Sequence, residues 1–467
     1  MQYIPNILFL IVLFLGIGFF IKSCKKIIRN IKLGQKVDIS DHKKTRWNNV
    51  FRIAFGQSKM VARPLSGFLH IIVYIGFVVI NIEVLEIIID GLFGTHRIFS
   101  GLGIFYNILI ASFEILAFLV LVSVIVFWIR RNFKKIKRFW SPEMKGWPKN
   151  DANIILYFEM VLMSLFLLMN VSDLQLQILG ADHYNTAGSF PVSSYLLPLF
   201  ENLSETSLII FERTAWWLHI IGIFVFLNYL YYSKHLHILL AFPNVYHGSV
   251  EPKGKFKNLE SVTTEVKLMM DPNLDPFATP TTESDVPAKF GASDVLDLNR
   301  TQLLNAYTCT ECGRCTSNCP ANQTGKKLSP RKIMMDTRDR LEEIGKNIDK
   351  NGHFKDDNKQ LLDNYITREE LWACTTCNAC VESCPVSIDP LSIIMDMRQY
   401  LVIEQSAAPN ELNISMTNNI IEAASNLLSS CSIETTPNVY AKYGSFSELI
   451  PKKNNIKESL PTIHVQK

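Results

Sequence analysis

Cys309-Thr-Glu-Cys-Gly-Arg-Cys-Thr-Ser-Asn-Cys319-Pro320 and Cys374-Thr-Thr-Cys-Asn-Ala-Cys-Val-Glu-Ser-Cys384-Pro385 are two copies of one pattern, C-x2-C-x2-C-x3-C-P. A cubane iron–sulfur cluster needs one thiolate at each of four corners. Three cysteines spaced two residues apart wrap one loop around three corners. The fourth, three residues further on and braced by proline, points away from that loop. This is the ligand spacing of a pair of [4Fe–4S] clusters.

In two-cluster ferredoxins the fourth cysteine serves the other cluster. The expected sets are therefore Cys309, Cys312, Cys315 and Cys384 for one cluster, and Cys374, Cys377, Cys380 and Cys319 for the other. Disulfides suit small secreted domains, whereas the topology below puts these cysteines in the cytoplasm. Zinc sites usually supply two separated pairs rather than a run of four ending in proline. Cys24 and Cys431 lie outside the pattern and read as ordinary free thiols.

Working outward, the 467 residues change character near residue 240, from Ile-, Leu-, Phe- and Val-rich to polar. A formal net charge of +4 gives no reason to invoke nucleic acid. Apolar runs near 4–21, 65–90, 104–129, 153–172 and 208–232 are each long enough to span a bilayer. The first has no positively charged leader and no small-residue cleavage site, so it reads as a retained helix. Lys and Arg crowd the segments after the first span (Lys22 to Arg63) and after the third (Arg130 to Arg138). The loops near 91–103 and 173–207 carry only Arg97. The positive-inside rule then places the N-terminus outside and everything after about residue 233 in the cytoplasm.

Histidine is uncommon in hydrocarbon and needs a partner there. His70 lies near the cytoplasmic end of the second span, His219 inside the fifth, and His235 and His237 at the fifth span's cytoplasmic end. On one continuous helix His219 and His237 would share a face, roughly 27 Å apart along the axis. His70 and His237 at matched depth predict two imidazoles that clamp a haem iron from both sides. His219 is open between three roles: a second haem ligand with His96 or His183, a quinone-site residue, or a structural one. Glu83, Glu86, Glu114 and Glu212 are intramembrane carboxylates, suited either to proton transfer or to ion pairs such as Glu212–Arg213.

The fifth span, Leu218-His219 through Leu236-His237 and Ile-Leu-Leu-Ala-Phe-Pro, resembles the last helix of the respiratory nitrate reductase gamma subunit family. Phe68-Leu69-His70 resembles that family's second helix. The resemblance implies five spans and haem b held by histidines at positions matching His70, His219 and His237. The family carries another histidine ten residues after the first, where Ile80 stands here. The stretches Cys309-Thr-Glu-Cys-Gly-Arg-Cys-Thr and Cys374-Thr-Thr-Cys-Asn-Ala-Cys-Val resemble the iron–sulfur subunit of heterodisulfide reductases and the related anaerobic glycerol-3-phosphate dehydrogenase subunit, both alpha-helical ferredoxins.

Helix signals agree: Ser329-Pro330 before Arg331–Arg340, a capping box at Thr367-Arg-Glu-Glu370, and Asp389-Pro390. The expected fold is an all-α membrane bundle of five transmembrane helices (1–240), a linker (241–300), a mainly α-helical ferredoxin domain with two [4Fe–4S] clusters (301–405), and a tail (406–467) that is partner-binding or disordered. No Cys-Cys pair, dinucleotide fingerprint or Walker loop occurs. The expected role is therefore electron transfer between quinone or haem b and a cytoplasmic catalytic redox subunit, of the kind carrying a Cys-Cys-Gly motif. The place is a bacterial inner membrane. The alternatives are a membrane redox sensor or assembly scaffold, and a self-sufficient thiol/disulfide reductase.

Overall fold

In the computed structural model the described residues are 4–255 and 289–415, with a few positions at 262–263, 266–267, 270 and 417–419. Much of the expected linker, most of the tail and Cys431 lie outside the described residues. Among the described residues there are no β-strands, only the isolated bridges Gln35–Asn299 and Leu362–Ile366.

Five helices are long and apolar enough to cross a membrane. They are α1 (Ile4–Lys32), α3 (Pro64–Phe93), α4 (Ile104–Asn132), α5 (Trp147–Leu179) and α6 (Glu205–Tyr229); α2 (Lys43–Asn49) is a short connector. α1, α3, α4 and α5 run past the apolar stretches visible in the sequence, while α6 starts before the fifth stretch and stops three residues short of its end. At 1.5 Å per residue the 29 residues of α1 extend for roughly 44 Å, beyond a hydrocarbon core of about 30 Å. The five close a ring in the order α1, α3, α4, α5, α6 and back to α1. Phe9, Ile80, Tyr106, Ile110, Phe113, Phe166, Ile220 and Phe224 fill its interior. Phe14, Phe77, Ile108, Val161 and Ile210 are exposed on its outside, as lipid-facing residues are. Helices in lipid gain little from hydrophobic exclusion and rely on close packing. Gly76 provides one such contact: a Cβ there would meet Val120 Cγ2 at 2.5 Å.

The fifth span departs from the expectation. It is not one continuous helix through His237. α6 gives way to a tight turn at Leu230–Tyr232, Ser233 is extended (φ −112°, ψ 146°), and a new helix, α7 (His237–His247), starts at His237. Ser233 Oγ accepts from His235 N–H, and the Lys234 N–H donates to Asp151 Oδ2 on α5 at 3.1 Å. These side chains stabilise the break, so the five-turn spacing of His219 and His237 on one face does not hold.

The cysteine region comprises α8 (Arg300–Thr308), α9 (Arg314–Ser317), α10 (Pro320–Gln323), α11 (Pro330–Asn351), α12 (Arg368–Trp372), α13 (Ala379–Ser383) and α14 (Pro390–Gln399). The expected caps form: Ser329 accepts from Lys332 N–H, Thr367 and Glu370 make a reciprocal capping box, and Asp389 accepts from Ser392 N–H. Residues Met1–Gln405 form one compact unit. The end of α1 reaches this region directly. Asn30 Nδ2 donates to Tyr307 Oη at 2.8 Å, Arg29 donates to the Gly345 carbonyl at 3.0 Å, and Lys26 pairs with Asp349 at 2.6 Å.

Candidate functional site

The two cysteine runs share a backbone as well as a spacing. Glu311 and Gly313 in the first have φ of 54° and 68°; Thr376 and Asn378, at the same offsets in the second, have 55° and 59°. Left-handed residues two apart curl each loop, and a short helix, α9 or α13, starts at the third cysteine's doorstep. Only Gly adopts this conformation without cost, so Glu311, Thr376 and Asn378 are strained positions that surrounding contacts must hold.

The two runs come together: Cys384 is within electrostatic range of Cys312 and Cys315 of the first run, Cys319 of Cys374 and Cys380 of the second, and Cys315 of Cys380 as well. Among the described residues no three His, Cys, Asp or Glu side chains converge on a single metal ion, and no cysteine forms a disulfide. A cubane is larger than one ion and holds its thiolates further apart. Burial pushes the Cys309 and Cys380 thiols up to about 12 and Cys384 to about 11. As free thiols they keep their protons, so loading them with iron must release protons.

The first loop is sealed against the bundle by cations. Arg314 donates to the Lys59 carbonyl at 3.2 Å and to the Met60 carbonyl at 3.3 Å. Arg331, fully buried, donates to the Arg138 carbonyl and to Glu143, each at 2.6 Å. A Cβ on Gly313 would sit 2.5 Å from Arg331 Nη1 and 3.4 Å from Arg138 Cβ, so both arginines pack directly on the loop. Arg138 Nε and Nη1 and Arg331 Nε are buried without hydrogen-bond partners. Unpartnered guanidinium nitrogens facing a cysteine loop fit an anionic occupant, as a thiolate-bound cluster is.

Both histidines of the expected haem pair face each other. The His70 and His237 ring centroids lie 6.5 Å apart, tilted 41°. Two metal–imidazole bonds of about 2 Å each, plus the ring radii, span a gap of that order. His237 Nδ1 is 3.1 Å from the Lys234 carbonyl, which leaves Nε2 as the free nitrogen. Burial holds the His237 pKa down, in the neutral form that ligates metals. The residues therefore fit an iron held between them, and His70 Nδ1 is a buried nitrogen without a partner.

The pair is wired to the first cysteine loop on both sides. From His237, Lys234 pairs through Nζ with Glu311, between Cys309 and Cys312. From His70, the route is Gly67, one turn earlier on α3. A Cβ on Gly67 would lie 3.0 Å from the Met60 carbonyl, the same carbonyl that Arg314 holds.

His219 does not join this pair. Its Nδ1 lies 3.0 Å from the Leu162 carbonyl and its ring contacts Phe166. Among the described residues no second imidazole stacks on it. His96 and His183 instead contact each other at the far end of the bundle, 5.9 Å between centroids. There, Arg97 donates to Asp173 at 2.6 Å and to Asn170 at 3.0 Å, and His96 lies 3.0 Å from Asp173. The carboxylates divide. Glu86 accepts from Tyr106 and the Phe99 N–H, Glu114 from Val192 and Ser193 N–H, and Glu212 forms the ion pair with Arg213 that is one of the two roles open to it. Glu83 Oε2 is buried and unpaired. A cavity of about 430 Å³ opens beside it, bordered by Asn6, His96, Arg97, Asp173 and Trp216.

Sequence reasoning missed Arg138, Arg314, Arg331, Lys234 and Glu311. The one available signal was Arg314 and Glu311 inside the first cysteine run.

Residues 308–388 match the model of a 4Fe–4S dicluster domain. The chain is 30% identical over 440 residues to the "Probable iron-sulfur-binding oxidoreductase FadF" of Bacillus subtilis, covering 88% of this chain and 57% of that protein. It is 25% identical over 420 residues to the "EtfAB:quinone oxidoreductase" of Syntrophomonas wolfei, covering 84% of this chain and 52% of that protein. It is also 32% identical over 143 residues to the "Probable membrane-anchored ferredoxin" of Chromohalobacter salexigens, covering 27% of this chain and 21% of that protein. The chain thus spans about half the length of the two relatives it matches along most of its own. No solved structure matches it. This chain joins five apolar, membrane-length helices to a 4Fe–4S dicluster domain and is similar to iron–sulfur oxidoreductases.

Proposed function

We propose that the chain is a membrane electron-transfer subunit that links quinone in the bilayer to a redox partner in the cytoplasm. The observation that carries this is the His70–His237 pair, 6.5 Å apart and tied to the first cysteine loop through Lys234–Glu311 and Met60–Arg314. His70 and His237 hold haem b, as in the nitrate reductase gamma family. Cys309, Cys312, Cys315 and Cys384 hold one [4Fe–4S] cluster; Cys374, Cys377, Cys380 and Cys319 hold the other. When bound, these groups supply one-electron carriers. The chain's own residues fix them, exclude water and compensate their charge.

The N-terminus faces outside and the cysteine region faces the cytoplasm of a bacterial inner membrane, in keeping with the Lys and Arg distribution. Quinone, menaquinone by family analogy, is handled within the bundle. Glu83, unpaired beside the outer cavity, is the carboxylate free to exchange a proton. His219, bonded to Leu162 and without a second imidazole, is a structural residue rather than a second haem ligand. The partner is a catalytic redox subunit; the relative named as an EtfAB:quinone oxidoreductase supports a protein donor on one side and quinone on the other.

Purified membranes test this. The chain should show a reduced b-type band that is oxidised on adding quinone, and His70→Ala or His237→Ala should each abolish it while the cluster signals persist. A full band in both variants, or a band indifferent to quinone, would overturn the proposal.

A further inference from the structure

We infer that Arg63, Arg138 and Arg314 form a cationic collar that makes the first cysteine set the higher-potential electron acceptor, so that electrons run from the second set toward the histidine pair. This rests on the proposed reading of both sets as cluster ligands.

The two sets differ in the charge around them. Beside the first run, the acidic groups are already compensated. Glu311 pairs with both Lys234 and Arg338, which also stand beside Asp151 and Asp339, and Glu143 neutralises Arg331. Arg314 is held by the Lys59 and Met60 carbonyls, Arg63 by Ser317 Oγ at 2.8 Å, and Arg138 has two buried nitrogens with no partner. A carbonyl or hydroxyl accepts a hydrogen bond without cancelling charge. The first set therefore sits in an excess of positive charge, in a partly buried setting where water screens it little.

Around the second set the balance is near neutral. Arg398 donates to the Leu371 carbonyl at 2.6 Å and to the Cys374 carbonyl, while the Asp389 carboxylate stands beside Cys380. Cys377 and Thr375 are exposed. Backbone N–H donation to sulfur does not separate the sets: Ile388 N–H reaches Cys384 Sγ at 3.3 Å and Thr376 N–H reaches Cys374 Sγ at 3.4 Å. Solvent at Cys377 works the other way, since water also stabilises added charge. Several fixed, buried guanidiniums outweigh one wet edge, because their field needs no reorganisation.

One electron added to a thiolate-bound cubane raises its negative charge, so a cationic surround favours the reduced form. Transfer from the second set to the first oxidises one and reduces the other by a single electron, with no bond or proton changed. The source is a low-potential redox cofactor on the cytoplasmic partner, and Cys377 is the exposed cysteine of the second set. The first set, joined to His70 and His237, is the exit toward the membrane.

Redox titration followed by EPR on the full chain in detergent tests the order, with Cys384→Ser identifying the first set's signal. That signal should titrate at least about tenfold more readily reduced than the other, about 59 mV for one electron. Arg314→Gln should remove about tenfold of this preference and leave the second signal in place, and Arg314→Lys should restore part of it. Signals that titrate together or in reverse order, or an Arg314→Gln chain with an unmoved first signal, would overturn the inference alone. A chain with fewer than two cluster signals would overturn the reading beneath it.

Discussion

The two ends of the helical bundle bury charge in opposite ways. At the end away from the cysteine region, the outer end in the proposed topology, Arg97, Asp173, Asn170, Tyr106 and Glu86 form a network that satisfies its members. At the inner end, His70 Nδ1, Arg138 Nε and Nη1, and Arg331 Nε are buried with nothing to bond. Burying a polar group without a partner costs roughly 1–3 kcal/mol, more for a charge. Of these orphaned residues, His70 belongs to the histidine pair and Arg138 and Arg331 pack on the first cysteine loop, where the cofactors are proposed, while Arg131 Nε, Asn244 Oδ1 and Asn305 Oδ1 are also buried without partners. At the outer end the exceptions, Glu83 Oε2 and His96 Nδ1, belong to residues that border the cavity.

The largest effect should come from breaking the satisfied end. Arg97→Ala leaves Asp173 buried and uncompensated, and removing one partner of a buried ion pair costs about 3–5 kcal/mol. Thermal unfolding in detergent should shift strongly downward; an unchanged transition would show that the outer network is not structural.

What the sequence made legible follows from how local each signal is. The cysteine runs and the five apolar stretches are written in short windows, and α1, α3, α4, α5 and α6 cover them. The facing of His70 and His237 was also readable, because both sit at one depth. The break at Ser233 was not. No Pro or Gly marks it, and what holds it is Asp151, over 80 residues earlier on α5. The arginine collar was hidden for another reason. Arg138 counts equally well toward a positive-inside loop, and only the fold brings it onto the Gly313 turn.

A sharper probe of the outer end is Glu83→Gln. If Glu83 exchanges the proton of quinone chemistry, quinone-driven oxidation of the b-type band should slow by about 100-fold, within the range general acid–base groups contribute. The spectrum itself should be kept. An unaltered rate would return Glu83 to the structural carboxylates.

At the inner end, Gly67→Ala inserts a methyl group against the Met60 carbonyl at 3.0 Å. Overpacking of this kind costs about 1–3 kcal/mol, and it falls on the turn that carries His70. Reduced haem content at intact cluster content is expected. Loss of both together would mean that the variant only unfolds the chain.

The smallest effect should lie away from both ends. Arg368 and Asp363 pair at 2.9 Å with both side chains 43% exposed, where water screens the attraction. Asp363→Asn should change stability by less than about 1 kcal/mol by thermal unfolding. A larger loss would show that surface pairs, not buried ones, hold the cysteine region.

At the centre of the proposed function, the inner end is a junction of one haem and two clusters. Cofactor content of the purified chain tests this most directly, with haem, iron and acid-labile sulfide measured on one sample. Two [4Fe–4S] clusters and one b-type haem per chain are expected. Two clusters with no haem, or with two haems, would contradict it.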